Sequence, residues 1–254
     1  MLTHAFLFVI AALGGALNAV AGGGSFLTLP ALIYAGVPPV AANATSTLAM
    51  WPASLASAVA YRREIGAVRH WLFWLGGISL VGGLIGGELL VKTSDTRFLT
   101  LLPWLMLAAV ATFTVGDRIT RLVRGDAPAA LASTGASRLP PWILALQLVI
   151  AIYGGYFGGG MGIMMLAALS VAGMTSIHEM NGLKTLLAVA INGVALAAFV
   201  IDGVVAWGPG GVMVAGGVVG GYGGAALARH FGSSAVRTFV MVVGWLMTLY
   251  FFIR

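Results

Sequence analysis

From Met1 to Tyr61 the chain contains no Asp, Glu, Lys or Arg. Further charge-free runs cover His70–Gly87, Phe98–Gly116, Leu139–His178, Thr185–Ile201, Gly203–Ala228 and Thr238–Ile253. A helix needs about 20 apolar residues to cross hydrocarbon. A transmembrane barrel would show alternating segments of about ten residues between polar turns, and these runs do not alternate. Their Gly, Ala, Leu and Val content suits close-packed membrane helices. The pattern predicts an all-α polytopic membrane protein.

The pattern also repeats. Gly22-Gly23-Gly24 recurs as Gly158-Gly159-Gly160, and Gly36 as Gly173. Asn43 and Thr47 match Asn181 and Thr185, Gly87 matches Gly224, and Arg97 matches Arg237. Trp104-Leu105-Met106 returns as Trp245-Leu246-Met247, with the order kept throughout. A single glycine match means little, but the series predicts two homologous membrane repeats, 1–115 and 141–254, joined by a cytoplasmic linker, 116–140.

Each repeat has the same plan. A long apolar stretch is broken by three glycines. A short segment follows, Phe26–Ala35 or Ile163–Ala172, too short to cross alone at about 1.5 Å per residue. Then come a turn, Val37-Pro38-Pro39 or Met174-Thr175-Ser176, a helix starting near Asn43 or His178, and two more apolar helices. Short hydrophobic segments broken by Gly and Pro at matching places in two halves point to a transporter binding site. Tight helix packing through glycine is the plainer reading of the same residues.

Charge orients the halves. The linker carries Arg118, Arg121, Arg124 and Arg138, and the connection after Tyr61 carries Arg62, Arg63 and Arg69, so both read as cytoplasmic. The counterpart of that connection, around Asp202–Pro209, has no Lys or Arg and reads as outward. The Arg229–Arg237 connection reads as inside, which puts Lys92 and Arg97 outside against the rule. Equivalent loops on opposite sides mean inverted, pseudo-symmetric repeats with discontinuous, Gly-broken helices.

Composition narrows the classes. Of 254 residues, 60% are hydrophobic and 8% charged, against about a quarter charged in a soluble domain. An ordinary soluble globule and a disordered chain are both excluded. The absence of cysteine excludes a disulfide scaffold, a thiolate metal site and a Cys nucleophile. The N-terminus lacks the basic region of a signal peptide. The net charge of +6 sits in connections between apolar runs, so it reads as membrane anchoring and not as a nucleic-acid footprint.

Asn43, Ser46, Thr47, Met50, Ser54 and Ser57 are spaced by three and four, placing them on one helical face. Asn181, Lys184, Thr185 and Asn192 form a second stripe. Polar stripes in hydrocarbon are costly unless they face each other or water, so the two are expected to line one cavity near mid-membrane. Lys184, one of two lysines, would attract an anion there; the rival reading is a lysine snorkelling to the interface. The glycine breaks at Gly23, Gly24, Gly159 and Gly160, with Ser25, could offer backbone N–H groups and a hydroxyl to sulfite, sulfonate or carboxylate oxygens. Ser176 to Glu179 fits a helix capping box. The rival role for His178 and Glu179 is a proton relay. No nucleophile elbow, zinc-protease spacing or metal-ligand cluster occurs, so neither an enzyme nor a cofactor is expected.

The stretch from Gly14 through Asn18 to Gly22-Gly23-Gly24-Ser25, continuing to Leu29-Pro30-Ala31-Leu32 and Asn43-Ala44-Thr45-Ser46, resembles the opening of the TauE/SafE sulfite-exporter family. Gly154-Gly155-Tyr156-Phe157-Gly158-Gly159-Gly160-Met161-Gly162, then Asn181-Gly182-Leu183-Lys184-Thr185, is similar to that family's second repeat. The resemblance spans nearly the whole chain and implies a multi-pass prokaryotic inner-membrane permease of about eight helices. An even helix number per half would argue for parallel repeats, against the charge-based reading. The implied partners are membrane lipid and a small organic or inorganic sulfur anion, such as sulfite or sulfoacetate. A homo-oligomer is compatible with the sequence. The alternatives are an anion-selective channel, an uptake permease and a non-transporting scaffold.

Overall fold

The structure, a computed structural model, describes residues 2–20, 23–62, 66, 69–126, 139–174, 176–227 and 233–253. Among them are ten helices and no strand: α1 (Leu2–Val20), α2 (Ser25–Tyr34), α3 (Pro39–Ala60), α4 (Arg69–Val91), α5 (Asp95–Asp126), α6 (Pro141–Tyr156), α7 (Met161–Val171), α8 (Ile177–Ile201), α9 (Trp207–Leu227) and α10 (Ser233–Ile253). Within these, Trp71–Val91 and His178–Ile201 are long and apolar enough to cross a bilayer.

Local sequence sets the boundaries. Proline at the first helical position has a fitting φ and no N–H to leave unpaired. Pro38-Pro39 therefore starts α3 four residues ahead of Asn43, and Pro140-Pro141 starts α6 the same way. Ser176 caps α8, its hydroxyl accepting from the Glu179 N–H at 3.4 Å. Gly36 and Gly173 hold positive φ of 86° and 89° just beyond α2 and α7. The next N–H in each case, Val37 or Met174, reaches back to the Leu32 or Leu169 carbonyl, closing a Schellman motif. The short helices thus stop by the same device. α5 runs through Gly116, where the linker was expected to open, and continues to Asp126; residues 127–138, with Arg138, lie outside the described residues, as do Gly22, Arg63 and Arg229.

Glycine sets the packing. Along α1 and α9, Phe8 lies against Gly216, Ala12 against Gly220, and Gly15 against Gly217 and Gly221, so the two run parallel in backbone contact. Along α4 and α6, Gly82 meets Leu148 and Ala151, while Gly86 meets Ile152 and Tyr156. α3 and α8 run antiparallel. Trp51 Nε1 donates to the Val189 carbonyl at 3.1 Å, and nearer the start of α3 the Ala206 N–H, just beyond α8, donates to Thr45 Oγ1 at 3.0 Å. α4 packs on α8 and α9 on α3; α2 lies against α10, α7 against α5, and α5 against α10.

Two apolar cores result. One joins α1, α2, α3, α5 and the end of α8 around Phe26, Leu29, Phe98, Met106 and Phe199. The other joins α4, α6, α7 and the start of α8 around Leu75, Ile150, Met165 and Leu187. The outward faces are also apolar: Val81, Leu84 and Ile85 on α4, Val218 and Tyr222 on α9, and Trp245, Leu246 and Leu249 on α10 are exposed. Continuous apolar exposure on this scale calls for a cover other than water.

Candidate functional site

Where α3 and α8 cross, they enclose a cavity of about 90 Å³. A water needs roughly 10–15 Å³ measured this way, so the space suits several waters or one small ion. α3 contributes Thr47, Met50, Ser54 and Ser57 and ends at Tyr61; α8 contributes Asn181, Lys184, Thr185, Ala188 and Asn192. Asn18 at the end of α1, Ser25 at the start of α2, and Gly158, Met161 and Gly162 around the start of α7 complete the wall. The lining follows α3 to its partly exposed last turn at Tyr61. Towards the start of α3, residues Asn43 to Ser46 are fully packed.

Lys184 carries the only formal charge in the lining among the described residues. Its Nζ donates to Asn181 Oδ1 at 3.1 Å, and its methylenes lie over Gly162, where any Cβ would press on Cδ. Among the described residues no carboxylate pairs with it; the ion pair found there joins Lys92 to Glu88 at 3.0 Å. The hydroxyls face inward but are anchored to their own helices. Thr47, Ser54, Ser57 and Thr185 each donate to the carbonyl four residues earlier, and Asn18 Nδ2 donates to Ser54 at 3.2 Å. Their lone pairs and two ammonium N–H groups of Lys184 are left for a solute.

Nine predicted residues meet here: Ser25, Thr47, Met50, Ser54, Ser57, Asn181, Lys184, Thr185 and Asn192. Six lie behind the wall. Ser46 is hydrogen-bonded to Thr28 at 2.6 Å, and Asn43 Nδ2 donates to the Tyr156 carbonyl at 2.9 Å. Gly24 packs against Gly14 and Met50, and Gly160, with φ of 78°, packs against Ala109. The carbonyls of Gly23 and Gly24 take the Phe26 and Leu27 N–H groups, so those two amides are spent within the turn. The Gly159 carbonyl accepts from Tyr153 Oη at 2.8 Å. His178 is exposed at the start of α8 and Glu179 half-buried, neither in the cavity wall.

The stripe reading did not reach Asn18, Tyr61, Met161, Gly162 and Ala188. Asn18 had a signal, as a lone amide in the last turn of an apolar run just before a glycine break. Met161, Gly162 and Ala188 carry no polar mark and are legible only as neighbours of residues that do.

The family described as "Sulfite exporter TauE/SafE" matches residues 7–251. The chain is 28% identical over 248 residues to a "Probable membrane transporter protein" of Haemophilus influenzae, covering 96% of this chain and 92% of that one. It is 28% identical over 242 residues to "Probable membrane transporter protein ORF9" of a Sinorhizobium species, covering 94% and 88%. To "Probable membrane transporter protein YfcA" of Escherichia coli it is 26% identical over 244 residues, covering 95% and 87%. No solved structure matches the chain.

Proposed function

The chain belongs to the TauE/SafE sulfite exporter family, and from that premise we propose that it is a multi-pass carrier of the prokaryotic inner membrane that exports a small sulfur-containing anion, such as sulfite, sulfoacetate or another organosulfonate. The observation that carries the reading is Lys184, an ammonium in a small polar cavity between α3 and α8, with no carboxylate beside it among the described residues. A cation held away from water needs a counter-charge, and a monoanion supplies it.

The mechanism is alternating access about inverted halves. The antiparallel course of α3 and α8 supports this, since the connection after α3 and the connection after α8 then leave the bundle at opposite ends. So does the pairing of helices across the proposed halves: α1 with α9 mirrors α6 with α4, and α3 with α9 mirrors α8 with α4. The Arg62 end is cytoplasmic by the positive-inside rule, and the cavity extends towards that end. An inside-negative potential of about 100 mV favours expelling one negative charge by roughly 2.3 kcal/mol, so efflux of a monoanion needs no coupled ion.

Purified protein in liposomes tests this. Sulfite-loaded vesicles are expected to show saturable efflux, stimulated by external sulfite in counterflow and by an inside-negative potential. Large single-channel currents would replace the carrier by an anion channel. Flux only against the potential with a coupled cation would replace export by uptake. No flux of any sulfur anion would remove the proposal.

A further inference from the structure

Between the cavity and the start of α3 lies the connection from Tyr156 to Gly160. Gly158 lines the cavity, while the Tyr156 hydroxyl reaches Thr93, in the turn after α4, at 3.3 Å. The connection is gripped from several sides. Asn43 on α3 donates to the Tyr156 carbonyl at 2.9 Å, and Gly160 packs against Ala109 of α5. Tyr153 Oη lies within hydrogen-bond reach of two carbonyls, Gly159 in the connection at 2.8 Å and Leu105 on α5 at 3.0 Å. One phenolic hydrogen thereby ties the connection to α5.

The grip is incomplete. Asn43 Oδ1 and Asn192 Oδ1 are both buried without a hydrogen-bond partner among the described residues. Asn43 holds the connection by its other amide atom, and Asn192 Oδ1 sits beside Gly158. A buried amide oxygen left unpaired is rare and calls for a reason. Withdrawal of the connection would open both oxygens to water. The same bonds that close this end therefore leave an acceptor unsatisfied on each flank, as expected of one arrangement of a two-state element. Gly158 and Gly160, both at a φ of 78°, give the segment the backbone freedom to rearrange.

We propose that Tyr156–Gly160 is the gate that shuts the cavity at the end where α3 begins, and that Tyr153 is the positioning residue that latches it. The inference rests on reading the chain as a transporter.

The cysteine-free sequence makes the test direct. Single cysteines are introduced at Val40, buried one turn before Asn43 on the same face of α3, and at Ser57, in the cavity towards Tyr61. Each is labelled with a charged, membrane-impermeant maleimide in sealed vesicles of known orientation, without added solute. Adding Tyr153→Phe is expected to raise labelling at position 40 about fivefold, the weight of one hydrogen bond, and to lower labelling at position 57. Ala109→Val, which crowds Gly160 and keeps the tyrosine hydroxyl, is expected to give the same reciprocal shift. Unchanged labelling in both variants, or a rise at both positions as general loosening would give, overturns the gate. Reciprocal labelling with no sulfur-anion flux keeps the gate and removes the solute assignment.

Discussion

Lys184 Nζ donates to Asn181 Oδ1, one turn earlier on α8, at 3.1 Å. An amide oxygen orients the ammonium but does not neutralise it. Lys184→Met is therefore expected to weaken sulfite or sulfonate binding at least tenfold, or about 1.4 kcal/mol, by calorimetry on purified protein. The same variant should melt no lower than the parent, because it removes a charge that no carboxylate among the described residues pairs with. Full affinity in Lys184→Met would take this lysine out of the site.

The glycines fall into two groups with opposite expectations. A Cβ at Gly220 would run into the Ala12 backbone, and one at Gly86 into Ile152 and Tyr156. Gly220→Ala and Gly86→Ala should each destabilise by about 1–3 kcal/mol, the usual cost of overpacking. Gly77 and Gly211, also helical, face open space. Alanine there should be neutral or raise the melting temperature, since glycine costs a helix about 1 kcal/mol relative to alanine. Thermal unfolding in detergent separates the groups, and equal losses at all four sites would contradict the packing described.

Gln147 Nε2 donates to Ser79 Oγ at 2.8 Å, joining α6 to α4 with both side chains buried. Ser79→Ala strands the amide and should cost about 1–3 kcal/mol. The double variant Ser79→Ala, Gln147→Leu should recover most of that loss, because no polar group is then left unpaired. Additive losses in the double-variant cycle would show that the bond is not what couples the two sites.

Asp95 Oδ1 accepts from the Val40 N–H at 2.8 Å. The first turn of α3 has no side-chain cap of its own, since Pro38 and Pro39 precede it. Asp95 thus caps a helix from a distant turn. Asp95→Ala should cost about 1 kcal/mol, the ordinary value of a lost N-cap, while Asp95→Asn, which keeps the acceptor, should cost less. The order of the two melting temperatures is the check.

Helix type was legible because charge-free runs leave little else for a backbone that must satisfy itself in oil. Ends marked by Gly36 and Gly173 were legible to within a residue or two. The start of α3 was misplaced because polarity at Asn43 was weighed above the proline pair before it. Nine of the fifteen residues expected at the site line the cavity. Asn43 and Ser46 share a helical face with Thr47, but periodicity gives a face and not a depth. Along α3 the neighbours close in at Ser46, where Thr28 takes its hydroxyl, and open at Thr47. The role of Tyr153 was invisible for a related reason: it bonds two carbonyls, and carbonyls leave no mark in a sequence.

The bare backbone contact of α1 with α9 has a consequence for synthesis. α1 carries Gly15 on a face shaped for Gly217 and Gly221, which are made only after α2 to α8 have been threaded into the bilayer. Until then that notch is filled by acyl chains or by the insertion machinery. The first half released alone is a helix without its mate, so co-expressed fragments should be rescued by each other far better than either endures by itself.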